Sequence, residues 1–447
     1  MKTLFRKTMW GLALLLLHTG CSVTQRTGGK SAIASKDESF LNFHLYDGGG
    51  GMVLPPKVAK RIRFAESSER VFEPVMHRFL DKQLGIPVVD GRMTGILPVQ
   101  ATDGQEVYTF GCAVCHSGKA AGVFVPGLGN KTFDTSKGGK MLRHFVGTHP
   151  DSTPSGTNGQ EFSHTIGSRK NGNQVRGTVD DVLVFDKFLP DREERDFAPN
   201  LVKIPAVWDF ESKMKTGLFC DGLGNGLGWF GAVPWAAGQS TESLRRNRER
   251  LEEARDLFFR FEPPPYPFEI DRARTEFGQQ VFSENCMRCH GTYPGSEPPN
   301  FVPVRVVKTD DTRLQLIPGL GDAIDHGPTR DLMQRNIHDE PGYIAPRLRG
   351  IWSRFPYLHN GSVPSLAALL TPPDDRPVRF SVRNAGEAHR FDPVAVGLTE
   401  KKIIVSGPGN RNLYDTRMTG QSNEGHAFGT RLSQDEKTAL IEYLKTL

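Results

Sequence analysis

The sequence predicts a mainly α, loop-rich fold in two units, with short helices and little β structure. Three observations predict it. The runs Cys112-Ala113-Val114-Cys115-His116 and Cys286-Met287-Arg288-Cys289-His290 repeat one Cys-x-x-Cys-His motif at well-separated places. The 447 residues include 48 Gly and 31 Pro but only 37% hydrophobic residues, which leaves little apolar bulk for a core made of side chains alone. Residues 433–447 carry a clear helical pattern, and a second one leads into Cys286.

Each run has the spacing that attaches haem c. Two thiols three positions apart reach the two vinyl groups along one edge of a porphyrin, and the adjacent histidine ligates the iron from the proximal side. Two runs behind an export signal therefore predict two covalently bound haem c groups, held through Cys112, Cys115, Cys286 and Cys289 with iron on His116 and His290. Zinc or thiol sites are the alternative, but no second Cys/His pair lies near either run to complete a tetrahedral zinc site. A large apolar macrocycle also accounts for the thin hydrophobic content, and two cytochrome c-like haem domains are the architecture it suits.

From the N-terminus, Lys2, Arg6 and Lys7 precede an apolar stretch from Met9 to Leu17 and then Thr19-Gly20-Cys21. Residues 1–21 are a signal peptide of lipoprotein type, with Cys21 as the candidate lipid anchor; an ordinary signal cleaved nearby is the alternative. The chain is thus expected in the periplasm or cell envelope as a membrane-anchored lipoprotein, and no other segment is apolar enough to span a bilayer. Polar residues 22–40 form a flexible tether, and Gly48 to Gly51 form a glycine loop. An N-terminal haem c domain spans 41–265. In it, residues 104–111 form a short helix that delivers the first thiols, Ser117 to about Asn173 is mostly loop, and a strand lies at Val179 to Phe188. Leu244, Leu251, Phe258 and Phe261 recur on one face among the charges of Arg245 to Asp256, an amphipathic helix with a solvated face. Glu262-Pro263-Pro264-Pro265-Tyr266-Pro267 is a stiff linker that ends it. The C-terminal cytochrome c domain, 266–447, opens with a helix from Asp271 to Asn285. It closes with one capped by Ser433 and Glu436, striped by Leu440, Ile441, Leu444 and Leu447. Gly278 and Phe282 suit a close crossing with Leu440, Tyr443 and Leu444. The sixth cysteine, Cys220, reads as a buried, inert thiol.

Arg347 to Leu366 contains Phe355-Pro356-Tyr357-Leu358-His359-Asn360-Gly361-Ser362-Val363-Pro364. This resembles the signature of the dihaem cytochrome c peroxidase superfamily, and its spelling is closest to the branch that includes the bacterial rubber oxygenases. Ser422 to Thr430 with the helix after it, and Pro126-Gly127-Leu128 after the first haem run, are similar to that branch too. The resemblance covers most of residues 100–447. It implies a six-coordinate second haem with His290 below and His426 above, His359 beside that haem without ligating it, and a reactive first haem with an exchangeable distal position. The superfamily's usual methionine ligand has no counterpart in Leu369-Leu370-Thr371-Pro372-Pro373, which leaves Met418 as the fallback to His426.

For the first iron, Met141, His144, His149 and His164 are candidate sixth ligands. Trp208 and Phe219 are candidates to line its distal pocket, and Trp352 to sit between the haems; each could equally be packing. No carboxylate stands out as the distal acid/base that peroxide cleavage needs. The functional expectation is an exported dihaem c-type oxidoreductase, peroxidase-like or oxygenase-like. Electrons would pass from the C-terminal haem to an N-terminal haem that reduces peroxide or activates dioxygen on an organic substrate. A periplasmic donor such as a small cytochrome or copper protein would supply them. A non-catalytic dihaem electron carrier is the alternative. Net charge is only +5 with acids and bases mixed, so nucleic acid is not an expected partner.

Overall fold

The computed structural model describes residues 53–54, 81–89, 92–100, 106–135, 175–180, 201–231, 241–293, 295, 300–399 and 410–447. The signal peptide, Cys21, the tether, Gly48 to Gly51, Met141, His144, His149, His164 and the end of the 179–188 strand lie outside them. The described residues fall in one compact unit, Ala32–Leu447. They form a mixed, loop-rich fold rather than a mainly α one, with short helices and, as expected, little β, its strands only two to five residues long.

The first haem run is delivered by a strand, not a helix. Glu106–Phe110 pairs antiparallel with Ile96–Gln100 on one side and Val53–Leu54 on the other. Its Val-Tyr-Thr-Phe sequence is β-branched and aromatic, and such residues prefer a pleated surface. Pro98 is tolerated because its strand is at the edge of the sheet. The run itself begins as a 3-10 turn, Cys112–Val114. The chain beyond it is also not plain loop: Ser117–Ala120 and Val123–Pro126 form a hairpin. Its turn residues Ala121 and Gly122 have φ of 52° and 81°, the left-handed pair that a two-residue hairpin demands. Thr178–Asp180, at the start of the expected strand, pairs with Leu201–Lys203.

The C-terminal helices form where the pattern places them. Asp271 caps Arg272–Asn285, and Ser433 with Glu436 makes a full capping box on Gln434–Leu444. The two helices cross closely. A Cβ at Gly278 would collide with the Ala439 carbonyl oxygen, and the Phe282 and Tyr443 rings lie 5.4 Å apart. Gly278→Ala is expected to cost about 1–3 kcal/mol by overpacking. Denaturant titration would read it as a lower midpoint at unchanged slope.

The proline-rich segment is packed rather than free. Tyr266 is buried and donates to the Pro393 carbonyl at 2.8 Å, while the Pro264 carbonyl accepts from the Trp352 indole at 2.9 Å. The main core accordingly draws on both sides of it, with Leu128, Trp208, Phe282, Trp352, Phe355 and Tyr414 all buried. A smaller cluster gathers Leu223, Trp229, Leu244, Leu320, Ile324, Leu332 and Met333. Arg248–Phe259 is the expected charged helix, and Leu244 belongs to the short helix before it, Thr241–Arg246.

Candidate haem sites

The two Cys-x-x-Cys-His runs fold alike. In each, the second cysteine and the histidine donate their backbone N–H to the carbonyl of the first cysteine: Cys115 and His116 to Cys112, Cys289 and His290 to Cys286, at 2.9–3.2 Å. This turn puts both sulfurs and the imidazole on one side of a single loop. Asparagines complete the turns. Asn130 N–H donates to Cys115 O and Asn300 N–H to Cys289 O. Their side chains reach back to the residue before, Asn130 Nδ2 to Val114 O and Asn300 Nδ2 to Arg288 O. Neither asparagine stood out in the sequence, because each lies in a loop far from its cysteines in number.

The histidines are oriented alike as well. His116 Nδ1 donates to the Pro205 carbonyl at 3.0 Å, and His290 Nδ1 to the Pro346 carbonyl at 2.8 Å. A carbonyl only accepts, so Nδ1 carries the proton and Nε2 keeps the lone pair that a metal needs. Packing around these half-buried rings pushes both imidazoles below their ordinary value, His116 to about 4. Neutral rings are the ligating form. Burial also pushes three thiols up, that of Cys112, that of Cys115 to about 12 and that of Cys286 to about 11. None of the four run cysteines is in a disulfide. No group of three or more His, Cys, Asp or Glu gathers around a possible metal ion among the described residues.

The second run has a histidine facing its own. The His290 and His426 ring centroids lie 6.2 Å apart. A metal–imidazole bond is roughly 2.0 Å and a ring centroid lies about 1.1 Å behind its nitrogen, so two rings on opposite faces of one metal stand roughly 6 Å apart. His426 Nδ1 is buried without a partner, and enclosure holds its ring down to about 4. The separation, the orphaned nitrogen and the nearby thiols fit a six-coordinate haem c iron. His426 has φ of 43° and is fixed by its N–H donating to Val307 O at 2.7 Å. Arg376 clamps the rest of the loop. Its guanidinium donates to five carbonyls, those of Leu369, Thr371, Asn423, Gly425 and His426. Met418 is partly exposed in a turn where its N–H donates to Asp415 O.

His359 stacks on Tyr343 at 4.2 Å and shares a 3.2 Å hydrogen bond with its hydroxyl. The next residue, Asn360, donates to Gly420 O and Ser422 O, which ties this motif to the strand of chain that leads to His426. Burial pushes His359 down to about 3. Unfolded His359 takes a proton near 6.5, while the folded residue stays neutral until about 3. Its contribution is therefore full above pH 6.5 and is lost as pH falls toward 3. The slope is at most on the order of 1.4 kcal/mol per pH unit. Chemical denaturation across that window is expected to give a flatter pH profile for His359→Gln than for the parent.

The aromatic candidates separate. Trp208 is fully buried in the main core, whereas Phe219 stands edge-on to Trp229 at 5.1 Å beside the smaller cluster. They pack against different clusters. Trp208 instead joins the two proximal loops. It follows Pro205 by three residues, and its indole N–H donates at 2.8 Å to the carbonyl of Arg349, three residues after Pro346. Asp209 adds an ion pair with Arg349 at 2.9 Å. Trp352 is also fully buried, edge-on to Tyr266 and Phe391.

Among known proteins, the chain is 40% identical over 123 residues to the uncharacterized protein y4iJ of Sinorhizobium fredii, covering 26% of this chain and 19% of that one. It is 28% identical over 232 residues to the uncharacterized protein y4iM of the same organism, covering 41% and 51%. The chain thus spans about a fifth and about half of the lengths of these relatives. A cytochrome c-like domain implies covalent haem c and an extracytoplasmic place. Among the described residues no helix is long and apolar enough to cross a membrane. Residues 342–381, which carry Tyr343, Trp352, His359 and Arg376, match the family model described as RoxA-like, cytochrome c-like.

Proposed function

We propose that this protein is an exported dihaem c-type oxidoreductase, organised as haem units at about 41–265 and 266–447. Cys112, Cys115 and His116 hold one group; Cys286, Cys289, His290 and His426 hold the other. The observation that carries this is the duplicated cradle, in which each run has its own asparagine and its own proline carbonyl on the histidine. When bound, the haems supply one-electron chemistry, with electrons passing from the C-terminal site to an N-terminal site that reduces peroxide or activates dioxygen. His426 closes the second site to outside ligands. Trp208 and Asp209 hold the two proximal loops at a fixed spacing through Arg349. A small periplasmic cytochrome or copper protein is the proposed donor, and peroxide, dioxygen or an organic compound the proposed acceptor. The lipid anchor at Cys21 remains part of this proposal.

Purified protein matured in a host competent for haem attachment tests this. Two added haem masses, with one low-spin signal and one signal that responds to cyanide or peroxide, are expected. Two low-spin signals indifferent to both would leave an electron carrier instead of an enzyme.

A further inference from the structure

Four cations near the proximal loops, Lys131 buried and Lys203, Lys213 and Arg354 half-buried, have no carboxylate in ion-pair contact among the described residues. Lys131 is buried, lies 4.6 Å over the Phe355 ring and donates only a long 3.5 Å bond to Lys119 O. Lys203 Nζ donates to the carbonyls of Arg354 and Pro356, both at 2.8 Å. Lys213 Nζ donates to Ala206 O at 2.5 Å, and Arg354 Nη1 to Arg347 O at 2.6 Å. Asp209 acts on both Arg354 and Lys213, with one oxygen paired to Arg349 and the other buried without a hydrogen-bond partner, so this one carboxylate serves three cations. Carbonyl groups solvate a cation but do not neutralise it, and an enclosed charge left without a counter-charge costs several kcal/mol. Burial pushes Lys131 down to about 7, and burial together with the Arg354 charge pushes Lys213 to about 7 and Lys203 well below its ordinary value. A protein that needs these groups charged must bring an anion to them.

A cavity of about 50 Å³ lies among them, lined by Lys131, Lys203 and Arg354 together with Pro205, Phe355 and Arg176. Arg176 is paired with Asp134 at 3.7 Å, so the other three are the unneutralised ones. This volume suits one small polar group, not a macrocycle. The first cradle borders it directly, and Arg354 links it to the loop of the second. Pro205, which accepts from His116, lines the cavity. Arg354, which also lines it, is bonded to Arg347, the residue after the Pro346 that accepts from His290. We infer that this cavity is a carboxylate site for one haem propionate, with Lys131, Lys203 and Arg354 as its counter-ions. This rests on the proposed haem reading, under which the first haem carries two propionates and one of them would enter the cavity. Free oxyanions such as phosphate share the chemistry, and the Pro205 carbonyl, which both lines the cavity and accepts from His116, is what favours a carboxylate tethered to that haem.

The test uses holoprotein with haem attachment checked by mass. In Lys203→Gln, a propionate loses its counter-charge, and the added negative charge favours the oxidised iron. The reduction equilibrium of one haem is expected to move about tenfold toward the oxidised state, about 59 mV for one electron. The carboxylate bands of the redox-difference infrared spectrum are expected to shift with it. Lys203→Arg should restore both. Lys131→Gln supplies the same readout if Lys203→Gln does not mature. Haem mass present with potential and carboxylate bands unchanged would overturn the assignment. So would a saturable change in the parent's potential on adding phosphate, since a propionate already in place blocks the site. Absence of haem mass would sink the dihaem reading, and this inference with it.

Discussion

His426→Ala is expected to convert one low-spin haem to a high-spin form that binds cyanide. Among the described residues it is His426 that faces His290 at the separation two ligands on one metal require, and its Nδ1 is buried without a hydrogen-bond partner. The measurement is low-temperature EPR of the oxidised protein, with and without cyanide. Met418→Leu serves as the companion variant and is expected to leave the spectrum as it is, because Met418 sits in a partly exposed turn. A low-spin signal that survives in His426→Ala and vanishes in Met418→Leu would reverse the assignment. The effect is large because alanine offers no replacement ligand.

Arg376→Met is expected to unseat the same ligand without touching it. One buried guanidinium serves five carbonyls on the 369–371 and 423–426 segments, and methionine fills its volume but serves none. Buried carbonyls left without donors are costly, so the loss of stability is on the order of 3 kcal/mol. Denaturant titration would read that loss. EPR would show a reduced low-spin fraction as the loop bearing His426 loosens. Arg376→Lys should fall between the two, because an ammonium retains the charge but lacks the planar fork that spans several acceptors. Full low-spin intensity in Arg376→Met would show that the His426 loop is held by other contacts, such as the Val307 bond.

Much of the candidate site was legible in the sequence. The Cys-x-x-Cys-His spacing named six residues, and the resemblance added His359 and His426. The closing helix was legible to its cap, because Ser433 and Glu436 interact across a single turn and need nothing beyond it. The lead-in to Cys112 was misread as a helix. Residues 104–111 have no strong period of their own, and a partner strand at 96–100 decides the state of 106–110 by hydrogen bonding from a neighbouring segment. The hairpin after His116 was missed for a similar reason, since Ala121 gives no warning of its left-handed backbone. Asn130, Asn300, Pro205, Pro346 and Arg376 were invisible, because each acts through a carbonyl or amide that the chain brings near only when folded.

By itself the sequence determined which atoms can bond a porphyrin and where the last helices start and stop. Those are matters of covalent spacing and of contacts within a few residues. Only the tertiary structure decided that His116 and His290 each turn Nδ1 to a proline carbonyl, that the His426 ring stands 6.2 Å from that of His290, and that Lys131, Lys203 and Arg354 line one cavity. Each of these depends on groups distant in the chain, and only the packed core of Trp208, Trp352 and their neighbours fixes such distances.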